Sequence, residues 1–187
     1  MKCSVFIATS TDGYIAEENG GLDWLHTSGD LDADMTGNPD MGFSDYINSV
    51  DCMIMGRKCM EMISSFNLTP EQWPYGDIKI YVLSHTLTVA PENLSSKVEM
   101  YSGDVSDLVC RLEQDGYKHA YIDGGTTITS FLNKQLINEV TITKVPVVLG
   151  GGIPLFGRLE RAVQLTDASA IVFPNDYMQI RYGVKYA

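Results

Sequence analysis

The chain has 187 residues, 44% of them hydrophobic and 20% charged, which suffices for one buried core and falls short of two ordinary domains; one domain over residues 1–187 is expected. A formal net charge of −11 gives a surface field that repels nucleic acid and anionic membranes, so neither is an expected partner and an anionic ligand needs a local cationic seat. No run approaches the length of a membrane span, and the sequence enters a strand-like segment at Cys3 without the basic flank of a secretory leader, so a cytoplasmic location is expected.

Residues 5–9 form a short continuous apolar run, the pattern of a strand covered on both faces. It leaves through Asp12-Gly13, returns at Ile15 and enters Gly20-Gly21-Leu22-Asp23-Trp24, which reads as a flap over a cleft. Phe43, Tyr46 and Ile47 mark a helix, and residues 51–55 a second buried strand ending at Gly56. Arg57 and Lys58 then open an amphipathic helix containing Met60 and Ile63. Residues 78–83 and 120–122 repeat the strand pattern, with a helix between them that Asp104 and Asp107 introduce and Gly116 closes. From residue 140 onward the period becomes two: Val140 and Ile142 alternate with threonines, and Met178, Ile180, Tyr182 and Val184 alternate with Gln179, Arg181, Gly183 and Lys185. Residues 165–173 pair with this last strand through a Pro174-Asn175-Asp176 turn. The sum is an α/β fold with a mixed, mostly parallel central sheet flanked by helices and an antiparallel C-terminal edge.

Three segments carry candidate chemistry. Gly56-Arg57-Lys58 joins a strand end to a helix start, where free amides and the positive dipole end suit a diphosphate; read blandly, it is a solvated helix start. Asp123-Gly124-Gly125-Thr126-Thr127 repeats the junction, with a threonine positioned to cap the helix or bond a phosphate; the alternative is an ordinary tight turn. The flap is the third. Cys3, Cys52, Cys59 and Cys110 show no two-residue spacing of zinc or redox motifs and are expected as free thiols. His26, His85 and His119 are scattered, so no metal is expected.

Residues 8–16, Asp23-Trp24, the strand ending Met55-Gly56-Arg57-Lys58, Val82-Leu83-Ser84-His85, Gly124-Gly125 and the run from Val145 through Gly150-Gly151-Gly152 to Phe156 occur in the order found in dihydrofolate reductase-like proteins. The chain resembles a stand-alone form of the C-terminal reductase domain of the riboflavin-biosynthesis deaminase-reductase. The resemblance implies a dihydrofolate reductase-like fold and NADPH as cofactor. It places Ala8, Ile15 and Ala16 by the nicotinamide, Gly56, Arg57, Lys58 and Cys59 by the phosphates, Leu83, Ser84 and His85 by the adenosine 2′-phosphate, and Gly124, Gly125, Thr126 and Thr127 along the diphosphate. Cys59 stands where threonine is usual and His85 where arginine is frequent, which weakens a preference for NADPH over NADH because histidine is only fractionally charged at neutral pH. The family's substrate-gripping acid maps by spacing to Asp40, which equally could favour a helix start, and Trp24 and Phe43 become candidate pocket walls. The implied reaction is hydride transfer to a small heterocycle, a ribosylamino-pyrimidine or a pterin such as dihydrofolate. The alternative is a nucleotide- or pterin-binding protein that keeps the fold without turnover. A homodimer is implied as well, with the Leu155-Phe156 corner as its contact or as part of a second ligand loop.

Overall fold

The computed structural model describes residues 1–186. The chain runs β1 (Lys2–Ser10), β2 (Tyr14–Ala16), α1 (Trp24–Thr27), α2 (Phe43–Asn48), β3 (Cys52–Gly56), α3 (Arg57–Ser65), β4 (Lys79–Leu83), β5 (Val98–Tyr101), α4 (Val105–Gln114), β6 (His119–Asp123), α5 (Gly125–Asn133), β7 (Glu139–Val145), β8 (Ile153–Pro154), β9 (Gln164–Val172) and β10 (Met178–Lys185). Eight strands make one sheet in the order β5-β4-β3-β6-β1-β7-β10-β9, and β2 pairs with β8 beside it. Neighbours from β5 to β7 are parallel; β10 runs antiparallel to β7 and to β9. The sheet is therefore mostly parallel with an antiparallel edge, as its sequence pattern implies.

The inner strands read as unbroken apolar runs because both sheet faces are covered. On one face Val5, Ile54 and Ile122 pack with Leu108 and Leu112 of α4 and Ile128 and Phe131 of α5. On the other, Met53, Met55 and Val82 pack with Ile47 of α2 and Met60 and Ile63 of α3. Helix α4 starts where the Asp104 carboxylate accepts the Ser106 N–H at 2.8 Å, an N-cap that satisfies one of the otherwise free first-turn donors. Phe131 is fully buried. Phe131→Ala should cost about 3–5 kcal/mol through lost transfer energy and the cavity left behind, read as a lowered denaturant midpoint. Cys110→Ser, at an exposed position, should shift stability by less than about 0.5 kcal/mol.

Two features depart from the sequence reading. Strand β5 has no apolar run to announce it, because it is a half-buried edge whose Glu99 is paired with Lys79 at 2.6 Å and with Arg111 at 3.1 Å. Leu155 is buried in the main core, so the exposed corner expected at Leu155-Phe156 is reduced to Phe156. The bare apolar surface lies instead on β9, which is exposed along nearly its whole length, with Ile171 56% and Val172 71% accessible. Among the described residues no helix is long and apolar enough to cross a membrane.

Candidate active site

The parallel register sets Met55 opposite Asp123 and Gly56 opposite Leu83, so β3, β4 and β6 end side by side. In open α/β sheets this carboxyl edge is where ligands bind. Helices α3 and α5 begin there almost in contact: a Cβ built at Gly56 would lie 3.1 Å from Thr127 Oγ1, and one at Gly124 only 2.6 Å from the Cys59 sulfur. Gly124 also has φ of 89°, a torsion costly for any residue with a Cβ. Gly125 is required for a different reason, since a Cβ there would lie 2.5 Å from the Pro154 carbonyl oxygen.

The N-cap residues of α3 and α5 are glycines, Gly56 and Gly124, which bring no capping side chain, in contrast to Asp104 at α4; the Asp123 carboxylate engages only the Gly124 N–H ahead of α5. The threonine expected to cap α5 does not do so: Gly124 occupies the N-cap position, Thr127 is buried against Gly56, and Thr126 faces outward. Two nine-residue helices thus present uncapped amides and their positive dipole ends next to each other. Arg57 and Lys58 stand at the mouth, Arg57 donating to Glu61 Oε1 at 2.6 Å one turn along and Lys58 exposed. In a chain of net charge −11, this concentration of donors and cations fits a dinucleotide diphosphate.

The flap closes against this notch. Ile15 Cδ1 lies 3.4 Å from the Cβ position of Gly125, resting on the start of α5, and Ala16 is buried beside Gly152. Strand β2 pairs with β8, Tyr14 opposite Pro154 and Ala16 opposite Ile153. Asp12 accepts the N–H of Leu149 at 3.1 Å and of Gly150 at 2.8 Å and the Ser10 hydroxyl at 2.7 Å. The Ser10 hydroxyl, with these amides, holds the Asp12 carboxyl below the usual range. The glycine run at residues 150–152 is therefore a buttress for the flap. At the end of β4, the Ser84 hydroxyl accepts the Leu87 N–H at 2.9 Å and shapes the turn that carries exposed His85, while Leu83 packs against the core.

Beside Ala8 opens a cleft of about 580 Å³ walled by Phe6, Phe43 and Tyr121, with Thr143 below and residues 28–41 forming much of the rim. Phe43 is a wall, as its place in the sequence suggests. Trp24 stands one layer behind, buried with Val145, Phe173 and Tyr177, and its Nε1 has no acceptor; Leu25 and Tyr177 reach the cleft in its place. Asp40 lies on the rim, but its carboxylate accepts the N–H of Gly42 at 3.0 Å and of Ser44 at 2.8 Å. The Ser44 side chain and these amides hold its pKa below the usual carboxylate range. Asp40 is an ionised carboxylate engaged at a helix start, the second of the two roles that its position in the sequence leaves open.

Asp123 ends β6 between the two helix starts. Burial raises its pKa, an effect partly offset by the Gly124 N–H and the Cys59 thiol. The Cys59 thiol, itself pushed up to about 12 by burial and by the nearby Asp123, is neutral at physiological pH and turns toward Asp123 and Gly124. Because Asp123 holds its proton more tightly in the folded than in the unfolded chain, its ionisation lowers stability as pH rises from the unfolded pKa through the folded one. Asp123→Asn should therefore flatten the pH dependence of the denaturant midpoint in that window and be at least as stable as the parent at neutral pH. A midpoint lower at neutral pH than at pH 4 by the same amount in both proteins would contradict this.

The RibD C-terminal domain family matches residues 2–179. The Bacillus subtilis (strain 168) protein YwjB is 35% identical over 166 residues, covering 88% of this chain and 87% of that protein. A Shewanella sp. PV-4 crystal structure, of a protein named for a candidate role in riboflavin biosynthesis, superposes with a TM-score of 0.88 at 40% identity over the whole of both chains. A pyrimidine reductase-like protein from Corynebacterium diphtheriae shares the fold at 15% identity, with a TM-score of 0.66 over 100% of this chain and 92% of that one. From the match over residues 2–179, the chain belongs to the RibD C-terminal domain family.

Proposed function

We propose that the protein is a cytoplasmic NADPH-dependent reductase that transfers a hydride to a small heterocycle, a pyrimidine or pterin. The observation that carries this reading is the pair of helix starts at Gly56-Arg57 and Gly124-Gly125, together with an aromatic-walled cleft whose Tyr121 lies on β6, the strand that leads into Gly124. NADPH, when bound, supplies the hydride. Arg57, Lys58 and the first-turn amides of α3 and α5 would hold its diphosphate, and Ser84 and His85 would face its adenosine end. Ala8 and Ile15 set the position of the reacting ring, and the flap pinned by Asp12 excludes water. Phe6, Phe43 and Tyr121 stack the heterocycle.

Fluorescence titration with NADPH and NADH, followed by absorbance loss of NADPH with a panel of pterins and aminopyrimidines, tests the reading. Saturable binding with oxidation in the presence of at least one heterocycle is expected. A second reading, a binding protein without turnover, draws support from Asp40 being engaged at a helix start; binding without oxidation across the panel would favour it. Absence of dinucleotide binding would defeat both.

The same chain would work as a homodimer. An exposed nine-residue edge strand with unpaired backbone groups invites pairing unless covered, and the hairpin of β9 and β10 carries Asp167 and Asp176 against Arg181 and Lys185, so a second copy meets little of the net negative charge there. Ile171→Lys with Val172→Lys should shift sedimentation from a dimer to a species near 20.7 kDa. A parent protein that sediments as a monomer would contradict the dimer.

A further inference from the structure

Within the reductase reading, on which this inference rests, we infer that the substrate carries no phosphate or carboxylate and is a neutral or cationic aromatic heterocycle. Apart from Tyr121 and Tyr177, the ionisable side chains around the cleft are Asp30, Asp40 and His26, and no lysine or arginine lines it. The rim segment, residues 28–41, adds Asp32 and Asp34 and likewise contains no lysine or arginine. Asp34 and Asp40 are held ionised by the hydroxyl and amide of Thr36 and of Ser44. Proteins bind phosphate through arginine forks, lysines or free helix-start amides. The helix start at this rim, that of α2, already has its amides engaged by Asp40.

Of the cleft's neutral polar groups, both tyrosines and Thr143 are engaged within the protein, which leaves the short side chains of Ser28 and Asn175. The Tyr121 hydroxyl donates to the Phe6 carbonyl at 2.9 Å and the Tyr177 hydroxyl to the Leu25 carbonyl at 2.7 Å, while Gln179 Nε2 donates to Thr143 Oγ1 at 3.0 Å. What remains is an aromatic slot under an acidic rim, which accepts a flat ring bearing amino or ring N–H donors and repels an acidic tail. The charges are segregated: cations and helix-start amides at Arg57 and Gly124, carboxylates at residues 30–40. The first set suits the dinucleotide, and the second excludes a phosphorylated sugar or a glutamate tail from the neighbouring cleft.

Matched pairs of ligands test this by isothermal calorimetry on the NADPH-saturated protein: hydroxymethylpterin against its diphosphate ester, and a ribitylamino-pyrimidine against its 5′-phosphate. The uncharged member of at least one pair should bind about tenfold or more tightly than its ester, and the gap should shrink as salt is raised from about 50 to 500 mM, since screening weakens repulsion at exposed carboxylates. The triple variant Asp30→Asn, Asp32→Asn, Asp34→Asn should narrow the gap by roughly threefold or more at low salt. Equal or tighter binding of the esters, or failure of every uncharged member to bind, would overturn the inference. A parallel NADPH titration keeps the two readings apart: loss of dinucleotide binding would strike the reductase assignment, whereas strong ester binding alongside intact NADPH binding would strike only the charge selection.

Discussion

Gly125→Ala is expected to lower dinucleotide affinity by about tenfold or more and stability by roughly 1–3 kcal/mol. The methyl group would be placed 2.5 Å from the Pro154 carbonyl oxygen and 3.1 Å from that of Leu155. Both obstacles are backbone atoms, so no side-chain rotation relieves the clash and β8 itself must move. Strand β2 pairs with β8 and would be carried with it, and Ile15 would lift from the start of α5. Folding stability and cofactor seating are thus coupled through one missing Cβ. Gly37→Ala is the control, because nothing lies within 4 Å of its Cβ position and its φ is unremarkable; it should leave both quantities unchanged. Paired denaturation and NADPH titration of the two variants measure the effect, and equal behaviour would contradict it.

The double substitution Arg57→Ala, Lys58→Ala should weaken NADPH binding about 100-fold while shifting stability by less than about 0.5 kcal/mol. Each cation that bonds a phosphate contributes on the order of 1.5 kcal/mol, close to a factor of ten. The structural cost is small: Lys58 is solvated, and the Arg57 pair with Glu61 joins side chains 41% and 44% exposed, a surface contact worth at most a few tenths of a kcal/mol. The slope of affinity against salt should fall as well, since the remaining helix-start amides carry only partial charge. Unchanged affinity would place the diphosphate elsewhere.

Much of this geometry is legible in the sequence because it rests on local rules. Buried parallel strands must be apolar throughout, so residues 5–9, 51–55 and 78–83 announce themselves, and period two exposes the β9–β10 hairpin. A strand followed by glycine and then a helix marks both halves of the notch. The rest depends on contacts distant in sequence. Asp123 reads as one more residue before a Gly-Gly turn until the fold encloses it and burial raises its pKa. Asp40 falls near a candidate helix in any reading, and only the hydrogen bonds to Gly42 and Ser44 decide that its carboxylate serves that start. Trp24 and Leu155 look like lip and corner, yet the first packs against Phe173 and Tyr177 and the second enters the core beneath the sheet. The cleft rim at residues 28–41 has no periodicity at all; its meaning lies in which charges it contains and which it lacks.

A crystal structure of the NADPH complex puts the electrostatic proposition to the test. The diphosphate oxygens should lie within hydrogen-bond distance of first-turn amides of both α3 and α5, with Arg57 or Lys58 on the same group and the nicotinamide between Ala8 and Ile15. A dinucleotide bound away from Gly56 and Gly124, or seated with its phosphates under the acidic rim at residues 30–40, would contradict it.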